Sequence, residues 1–170
     1  MTDFPALTGF YKFMFLYLEP MSTMIPAVMI LTFPGAAWFY HELIPTSSPE
    51  PLEILNSSFK TCSYLLLGMI STVVFRTIKN AVPKDPQLQE RLVGSLLFCL
   101  AAADLSHIFT SLLGIGEKLR YYPAAWNATT HGNITFTMFL FLVRASWFLG
   151  IGRQRFYYGQ SGDSKSKKQV

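Results

Sequence analysis

Charged residues are scarce in this chain, and so are cysteines. Only 14% of the 170 residues are charged, while 51% are hydrophobic and the mean hydropathy is +0.30. An ordinary soluble domain is less apolar than this, so the composition predicts a small polytopic membrane protein. The two cysteines, Cys62 and Cys99, both lie inside apolar runs and give no sign of a disulfide framework or a metal site.

Several motifs with well-known chemistry are also missing. The sequence contains no glycine-rich phosphate loop, no HExxH, no CxxC pair and no acidic cluster of the metal-binding, diphosphate-ionising kind. Kinase, protease and prenyltransferase functions are therefore disfavoured, whereas a metal-independent reaction on a lipophilic substrate is not. We expect no metal and no cofactor. The net charge of +4 does not indicate a nucleic-acid partner, because the basic residues form no patch.

Four long apolar runs predict four membrane-spanning helices joined by polar connections. The spans are expected at about 8–33, 59–78, 92–116 and 134–152, in a single domain of residues 1–152. Residues 153–170 form a basic tail that is expected to be disordered. The predicted fold is an all-α integral membrane protein, a bundle of four transmembrane helices. A homo-oligomer is left open, because the glycines of the spans do not form a clean dimer motif.

The basic residues are divided unequally between the two ends of this bundle. Ten lie on the side that holds both termini, and three lie on the other side. The positive-inside rule therefore predicts that both termini are cytosolic. Sequons at Asn56, Asn127 and Asn133 fall in the loops that this orientation places in the lumen. The terminal KKQV matches a dilysine pattern of endoplasmic-reticulum membrane proteins, although Lys167 and Lys168 also suit a contact with anionic lipid.

Ionisable residues occur inside three of the predicted spans. Glu19, Asp104 and Arg144 lie about 16, 18 and 12 Å from the predicted cytosolic ends of their helices. Similar depth on different helices predicts one shared polar pocket, and His107 shares a helix face with Asp104. Ionisable groups at this depth are costly, so a functional site is the first hypothesis. The alternative is a structural salt bridge between Arg144 and one carboxylate.

A carboxylic acid in such a pocket can stay neutral at neutral pH, because desolvation disfavours its charged form. It can then protonate an alkene, an epoxide or an enone, and aromatic faces can stabilise the resulting cation. Asp104 is predicted to be the general acid, with His107 and Arg144 setting its protonation and orientation. Glu19 is predicted to be the base or a second acid. The predicted substrate-binding residues are Tyr17, Asn127, Asn133, Phe141 and Trp147.

Three stretches carry most of these polar residues: FLYLEPMS (15–22), LLFCLAAADLSH (96–107), and the segment from AAWNATTHGNITF to VRASWFLGIG (124–152). They resemble a fungal family of small four-span membrane proteins of unknown function. That family is similar in architecture to sterol-isomerase-like proteins, and in chemistry to membrane-integral terpene cyclases of meroterpenoid biosynthesis. The resemblance implies a role in secondary metabolism. It also implies a shared polar set of Glu19, Asp104, His107, Asn127, Asn133 and Arg144.

The leading hypothesis is therefore a metal-independent cyclase or isomerase (a lyase or isomerase by class) in the endoplasmic-reticulum membrane. Its expected partners are an apolar isoprenoid-type molecule and membrane lipid. The rival is a non-catalytic lipid- or sterol-binding protein, or a membrane assembly protein. A closed, aromatic-lined cavity to which Asp104 is exposed favours an enzyme. A packed Asp104–Arg144 salt bridge without a cavity favours the non-catalytic protein.

Overall fold

The computed structural model describes residues 4–43 and 61–159, and within these ranges the chain is helical and contains no strand. The helices of eight or more residues are α1 (Gly9–Leu31), α2 (Ala36–Leu43), α3 (Thr61–Ala81), α4 (Pro86–Gly114) and α5 (Ala128–Leu149), and short helical turns lie at Glu117–Arg120 and Pro123–Ala125. Helices α1, α3, α4 and α5 are long and apolar enough to cross a membrane. Helices of this length and composition are those of a multi-pass membrane protein.

Helix α4 begins at Pro86, six residues before the predicted start of the third span at Leu92. The Asp85 side chain accepts a hydrogen bond from the Leu88 amide at 2.9 Å and caps the helix. Pro86 suits the first turn, where the amide hydrogen it lacks would have no partner within the helix. The first turn is polar, so hydropathy alone places the start too late.

Helix α5 begins at Ala128, whereas the fourth span was predicted to begin at Ile134. The physical reason is again a cap: the Asn127 side chain accepts a hydrogen bond from the Thr130 amide at 2.8 Å. The helix therefore starts in a polar segment that was predicted to be loop.

The four long helices share a hydrophobic core near the end of the bundle that carries both chain termini, called the terminal end below. Buried side chains from every long helix, and from the segment before α1, meet there: Phe4, Leu7, Tyr11, Phe15, Phe75, Val93, Leu97, Val143 and Trp147. A smaller cluster of Ile108, Ile115 and Ile134 lies toward the opposite end, called the loop end. The outward faces carry exposed apolar side chains such as Phe13, Ile25, Phe98 and Leu142, as suits contact with lipid.

The residues after α5 pack back onto the terminal end. Gly150 ends the helix with a φ of 73°, a left-handed conformation that favours glycine. The following residues, 150–159, are called the C-terminal strap. Sequence reasoning assigned most of them to a disordered tail, but the strap packs against α4 through Arg153 and Tyr158. Residues 160–170, with Lys167 and Lys168, and the connection that holds Asn56 lie outside the described residues.

Three of the long helices contain a π-helical turn: Met14–Leu18 in α1, Ile70–Val74 in α3 and Gly132–Phe136 in α5. Such turns are rare and are frequently found at functional sites. Each one adjoins or contains a polar side chain of the bundle interior, namely Glu19, Ser71 or Asn133.

Candidate functional site

Arg144 on α5 lies between the carboxylates of Glu19 on α1 and Asp104 on α4. Its Nη2 donates a hydrogen bond to Glu19 Oε1 at 2.7 Å, and its Nη1 donates to Asp104 Oδ2. The side chains of Arg144 and Glu19 are 1% and 3% exposed, whereas that of Asp104 is 11% exposed. The residues that depth counting grouped together thus form one charged network that joins three membrane-spanning helices.

Two further side chains hold the network in place. The Ser71 hydroxyl on α3 donates to Glu19 Oε1 at 3.3 Å, so α3 also contacts the network. The Arg144 guanidinium lies 5.7 Å from the centre of the Phe15 ring, a cation–π distance. Ser71 was not predicted from the sequence, because a single serine in an apolar run resembles any other small residue that packs between helices.

The charges of the network do not cancel when all three groups are ionised, because two carboxylates face one guanidinium. Buried charge is costly unless it is paired. A proton on one carboxyl group would remove the excess, and a protonated carboxyl group is what a general acid requires. Asp104 is the less buried of the two carboxylates.

A second polar group lies toward the loop end and consists of Tyr64, His107 and Asn133, called the polar trio. Asn133 Oδ1 accepts a hydrogen bond from the Tyr64 hydroxyl at 3.1 Å and lies 3.2 Å from His107 Nε2. His107 follows Asp104 by one helical turn, so the trio and the charged network are neighbours along α4. The predicted polar set contains His107 and Asn133 but not Tyr64. No feature of the sequence distinguishes the Tyr64 hydroxyl from those of the other seven tyrosines.

Asn127, predicted to bind substrate, has a local structural role. Besides capping α5, its Nδ2 donates to the backbone oxygen of Glu42 at 2.5 Å and lies 3.2 Å from Glu42 Oε2. These contacts fasten α2 to the start of α5. A role of Asn127 in substrate binding stays a prediction.

The three predicted aromatic contacts are dispersed. Trp147 is fully buried at the terminal end, where its Nε1 donates to the Ala6 backbone oxygen at 2.9 Å. The guanidinium of Arg153 covers its ring at 3.8 Å from the ring centre. Tyr17 is 49% exposed, and Phe141 is half-buried. The structure does not bring these three side chains together around Asp104, so their contact with a substrate also stays a prediction.

An open apolar groove of about 250 Å³ is lined by Met24, Ile25, Val28 and Met29 of α1. Its lining does not include Asp104, so this groove is not the pocket expected around the acid. Within residues 4–43 and 61–159, no three His, Cys, Asp or Glu side chains are grouped so as to hold a metal ion.

One comparison with known proteins finds a match. A family model described as "Domain of unknown function (DUF7704)" matches residues 4–154. The matched region includes every residue of the charged network and of the polar trio. No curated protein and no solved structure matches the chain.

Proposed function

The chain belongs to the DUF7704 family, a domain of unknown function, and we propose that it is a membrane-integral acid–base enzyme. Its substrate is an apolar isoprenoid-type molecule, which it isomerises or cyclises. The observation that supports this proposal is the Glu19–Arg144–Asp104 network. A salt bridge that only joins helices needs one carboxylate, whereas this network contains a second carboxylate that is less buried than the first.

In the proposed reaction, protonated Asp104 transfers its proton to an alkene or epoxide of the substrate. The carbocation that forms is attacked by the π electrons of another double bond, which closes a ring, or it rearranges without closure. Loss of a proton from a neighbouring carbon then regenerates an alkene, with Glu19 or the Asp104 carboxylate as acceptor. One proton enters and one leaves, so the reaction is an isomerisation that consumes no co-reactant.

Arg144 has two tasks in this scheme. Its guanidinium stabilises the Asp104 carboxylate that remains after proton transfer, because an opposite charge favours the ionised form. Its second ion pair, to Glu19 at 2.7 Å, holds the guanidinium in position between the two acids. The Phe15 ring lies beside the same guanidinium and helps to hold it in position.

The proposed setting is the endoplasmic-reticulum membrane, with both termini cytosolic and a role in secondary metabolism such as meroterpenoid biosynthesis. The unequal distribution of basic residues supports this orientation. Fluorescence microscopy of the tagged chain beside an endoplasmic-reticulum marker tests the location. A plasma-membrane or mitochondrial signal would contradict it.

The decisive experiment expresses the chain in microsomes and supplies a farnesylated phenol and its terminal epoxide. Asp104→Asn keeps the size of the side chain but cannot donate the proton, so product formation should fall by roughly 10²-fold or more. In D₂O, a product formed from the alkene should contain deuterium at the protonated carbon. Asp85→Asn is the matched control, because asparagine caps a helix as well as aspartate does. A well-folded, fully active Asp104→Asn protein would refute the proposed role of the acid.

A non-catalytic function is the second candidate, and it also has a specific observation in its favour. Arg144 pairs with both carboxylates, so the Asp104–Arg144 bridge that supports this rival is present. A lipid- or sterol-binding protein, or an assembly factor, would use the network to hold α1, α4 and α5 together. In that case the wild-type chain converts no supplied substrate, and the only effect of Asp104→Asn is a lower free energy of unfolding.

A further inference from the structure

The polar trio has a fixed orientation that the charged network does not explain. Asn133 Nδ2 donates to the Thr129 backbone oxygen at 3.0 Å, so the amide is held and its Oδ1 points toward the other two members. The Tyr64 hydroxyl donates a hydrogen bond to that oxygen at 3.1 Å. A hydroxyl oxygen also accepts hydrogen bonds, so Tyr64 can still accept one from a ligand.

The side chains of the trio are less buried than the core on the other side of Asp104, although Ile108 and Ile134 beside the trio are buried. Toward the terminal end, the neighbouring interior side chains Leu97, Val143 and Trp147 are all at most 5% exposed. The segment before α1 and the C-terminal strap also pack onto this end. Toward the loop end, Tyr64, His107 and Asn133 are all half-buried. A ligand that reaches Asp104 from within the bundle therefore meets the trio rather than the core.

Helix α2 lies beside the trio. The Phe39 ring packs edge-on against Tyr64, with 6.3 Å between the ring centres. Asn127 fastens the same helix to α5 through Glu42. The trio thus has an apolar neighbour in Phe39 and a charged neighbour in Asp104, one helical turn away. This is the pattern of a small-molecule site, with a few polar groups placed among apolar ones.

We propose that the polar trio binds the oxygen-bearing end of the substrate and thereby positions its reacting carbons at Asp104. The substrate class is then an oxygenated isoprenoid with a hydroxyl group, rather than a pure hydrocarbon. A hydroxyl can donate to the Tyr64 oxygen, while the His107 Nε2–H donates to Asn133 Oδ1 and helps to hold the trio in place. Tyr64, His107 and Asn133 are positioning residues in this scheme. The inference rests on the proposed function for the role of Asp104.

A site built around polar groups discriminates strongly against a ligand that lacks the matching group, because its own groups are then left unpaired. The test measures binding of farnesol and of farnesene, which lacks the hydroxyl, to the full chain in lipid nanodiscs. Empty nanodiscs correct for partition into lipid. The wild type should bind farnesol at least about 10-fold more tightly, and Tyr64→Phe should reduce this ratio to about 2. Tyr121→Phe is the control, because Tyr121 is 78% exposed and outside the trio.

Substitutions of His107 distinguish a loss of ligand recognition from a folding defect caused by Tyr64→Phe. His107→Phe should reduce the farnesol preference as Tyr64→Phe does, while His107→Gln, which keeps a hydrogen-bonding side chain, should retain part of it. A structural role alone would weaken both ligands equally and leave the ratio unchanged. Absence of the preference in the wild type, or its survival in Tyr64→Phe and His107→Phe, would overturn the inference.

The two proposals can fail separately. Asp104→Asn should keep the farnesol preference, because the trio is intact in that variant. If no supplied substrate is converted but the preference is present and depends on Tyr64, the catalytic proposal fails and the binding inference stands. If substrates are converted through Asp104 without any preference for oxygen, the binding inference alone fails.

Discussion

The Glu90 carboxylate on α4 pairs with the Arg153 guanidinium of the C-terminal strap at 2.7 Å, and neither side chain is exposed. The other carboxylate oxygen accepts the backbone N–H groups of Phe156 and Tyr157. Arg153 in turn lies over the Trp147 ring and donates to the Trp147 backbone oxygen at 2.7 Å. The Glu90 side chain thus holds the strap against the bundle at Arg153, Phe156 and Tyr157.

We expect Glu90→Gln to release the strap. The substitution leaves the Arg153 charge buried without its partner, a defect that costs about 3–5 kcal/mol. The free energy of unfolding in detergent should fall by that order, and protease should cut the strap sooner. Glu117→Gln, at an exposed glutamate, is the control and should change neither property. Equal protease resistance of the wild type and Glu90→Gln would show that the ion pair does not retain the strap.

We expect Arg144→Gln to be among the most destabilising single substitutions in the chain. It leaves two buried carboxylates without a counter-charge, which costs about 3–5 kcal/mol of unfolding free energy. The triple variant Glu19→Gln, Asp104→Asn, Arg144→Gln removes all the charges and should recover most of the loss, because neutral groups can be buried together. Thermal unfolding followed by circular dichroism measures both effects, with Arg76→Gln as an exposed control.

If the triple variant is no more stable than Arg144→Gln, unpaired charge is not the cause of the loss. That result would instead indicate that Arg144 acts through its packing against Phe15.

We expect Gly94→Ala to displace Tyr158. A Cβ atom at position 94 would fall on the Tyr158 ring, whereas one at Gly114 would meet nothing within 4 Å. The strap should therefore become protease-sensitive in Gly94→Ala but not in Gly114→Ala. In the background of Tyr158→Ala, the additional change Gly94→Ala should have little further effect, because the ring it would strike is gone. Full additivity of the two substitutions would contradict this contact.

We expect Asn127→Ala to loosen the loop end. The change removes the N-cap of α5, at a cost of about 1 kcal/mol, and also removes the link to Glu42. Asn127→Asp keeps a good cap but loses the amide donor and places a second negative charge beside Glu42. Hydrogen exchange of the α2 amides should therefore rise in both variants, while the α5 amides should be less protected only in Asn127→Ala. Unchanged exchange in α2 would refute the proposed link.

We expect the chain to place both termini in the cytosol, because ten basic residues lie on that side and three on the other. A tag at the carboxyl terminus should be digested by protease added to sealed microsomes. A tag inserted near Ser48 should be protected until detergent opens the vesicles. Protection of the terminal tag would reverse the proposed orientation.

The sequence predicted the helices and the charged network for simple physical reasons. Long apolar runs have few alternatives to spanning a membrane, and ionisable residues at similar depth in such runs need each other as partners. The sequence therefore predicts that Glu19, Asp104 and Arg144 lie together. Their proposed chemistry remains a prediction, because pairing does not distinguish an acid from a structural link.

The Glu90–Arg153 pair was not predicted, and the reason is also physical. Both residues lie near the ends of apolar runs, where a charged side chain normally reaches water and needs no partner. Only the path of the strap, which turns back at Gly150, makes them neighbours. The hydrogen bonds of Tyr64 and Ser71 were not predicted, because tyrosine and serine are common in membrane helices and their partners come from other helices.

The π-helical turns also determine which changes of chain length the protein can tolerate. A π turn closes its hydrogen bonds over five residues instead of four, so it holds about one residue more than an α turn. Deleting one residue from Met14–Leu18 would convert the π turn into an α turn and leave Tyr11 and Glu19 in nearly the same relative orientation. A deletion that kept the π turn would instead rotate Tyr11 and Glu19 by about 100° relative to each other. Tyr11 is anchored to the Ile151 backbone oxygen at 2.6 Å and Glu19 to Arg144, so only a deletion that removes the π turn can keep both contacts. In related chains, a single-residue deletion in this helix should therefore coincide with loss of the π turn.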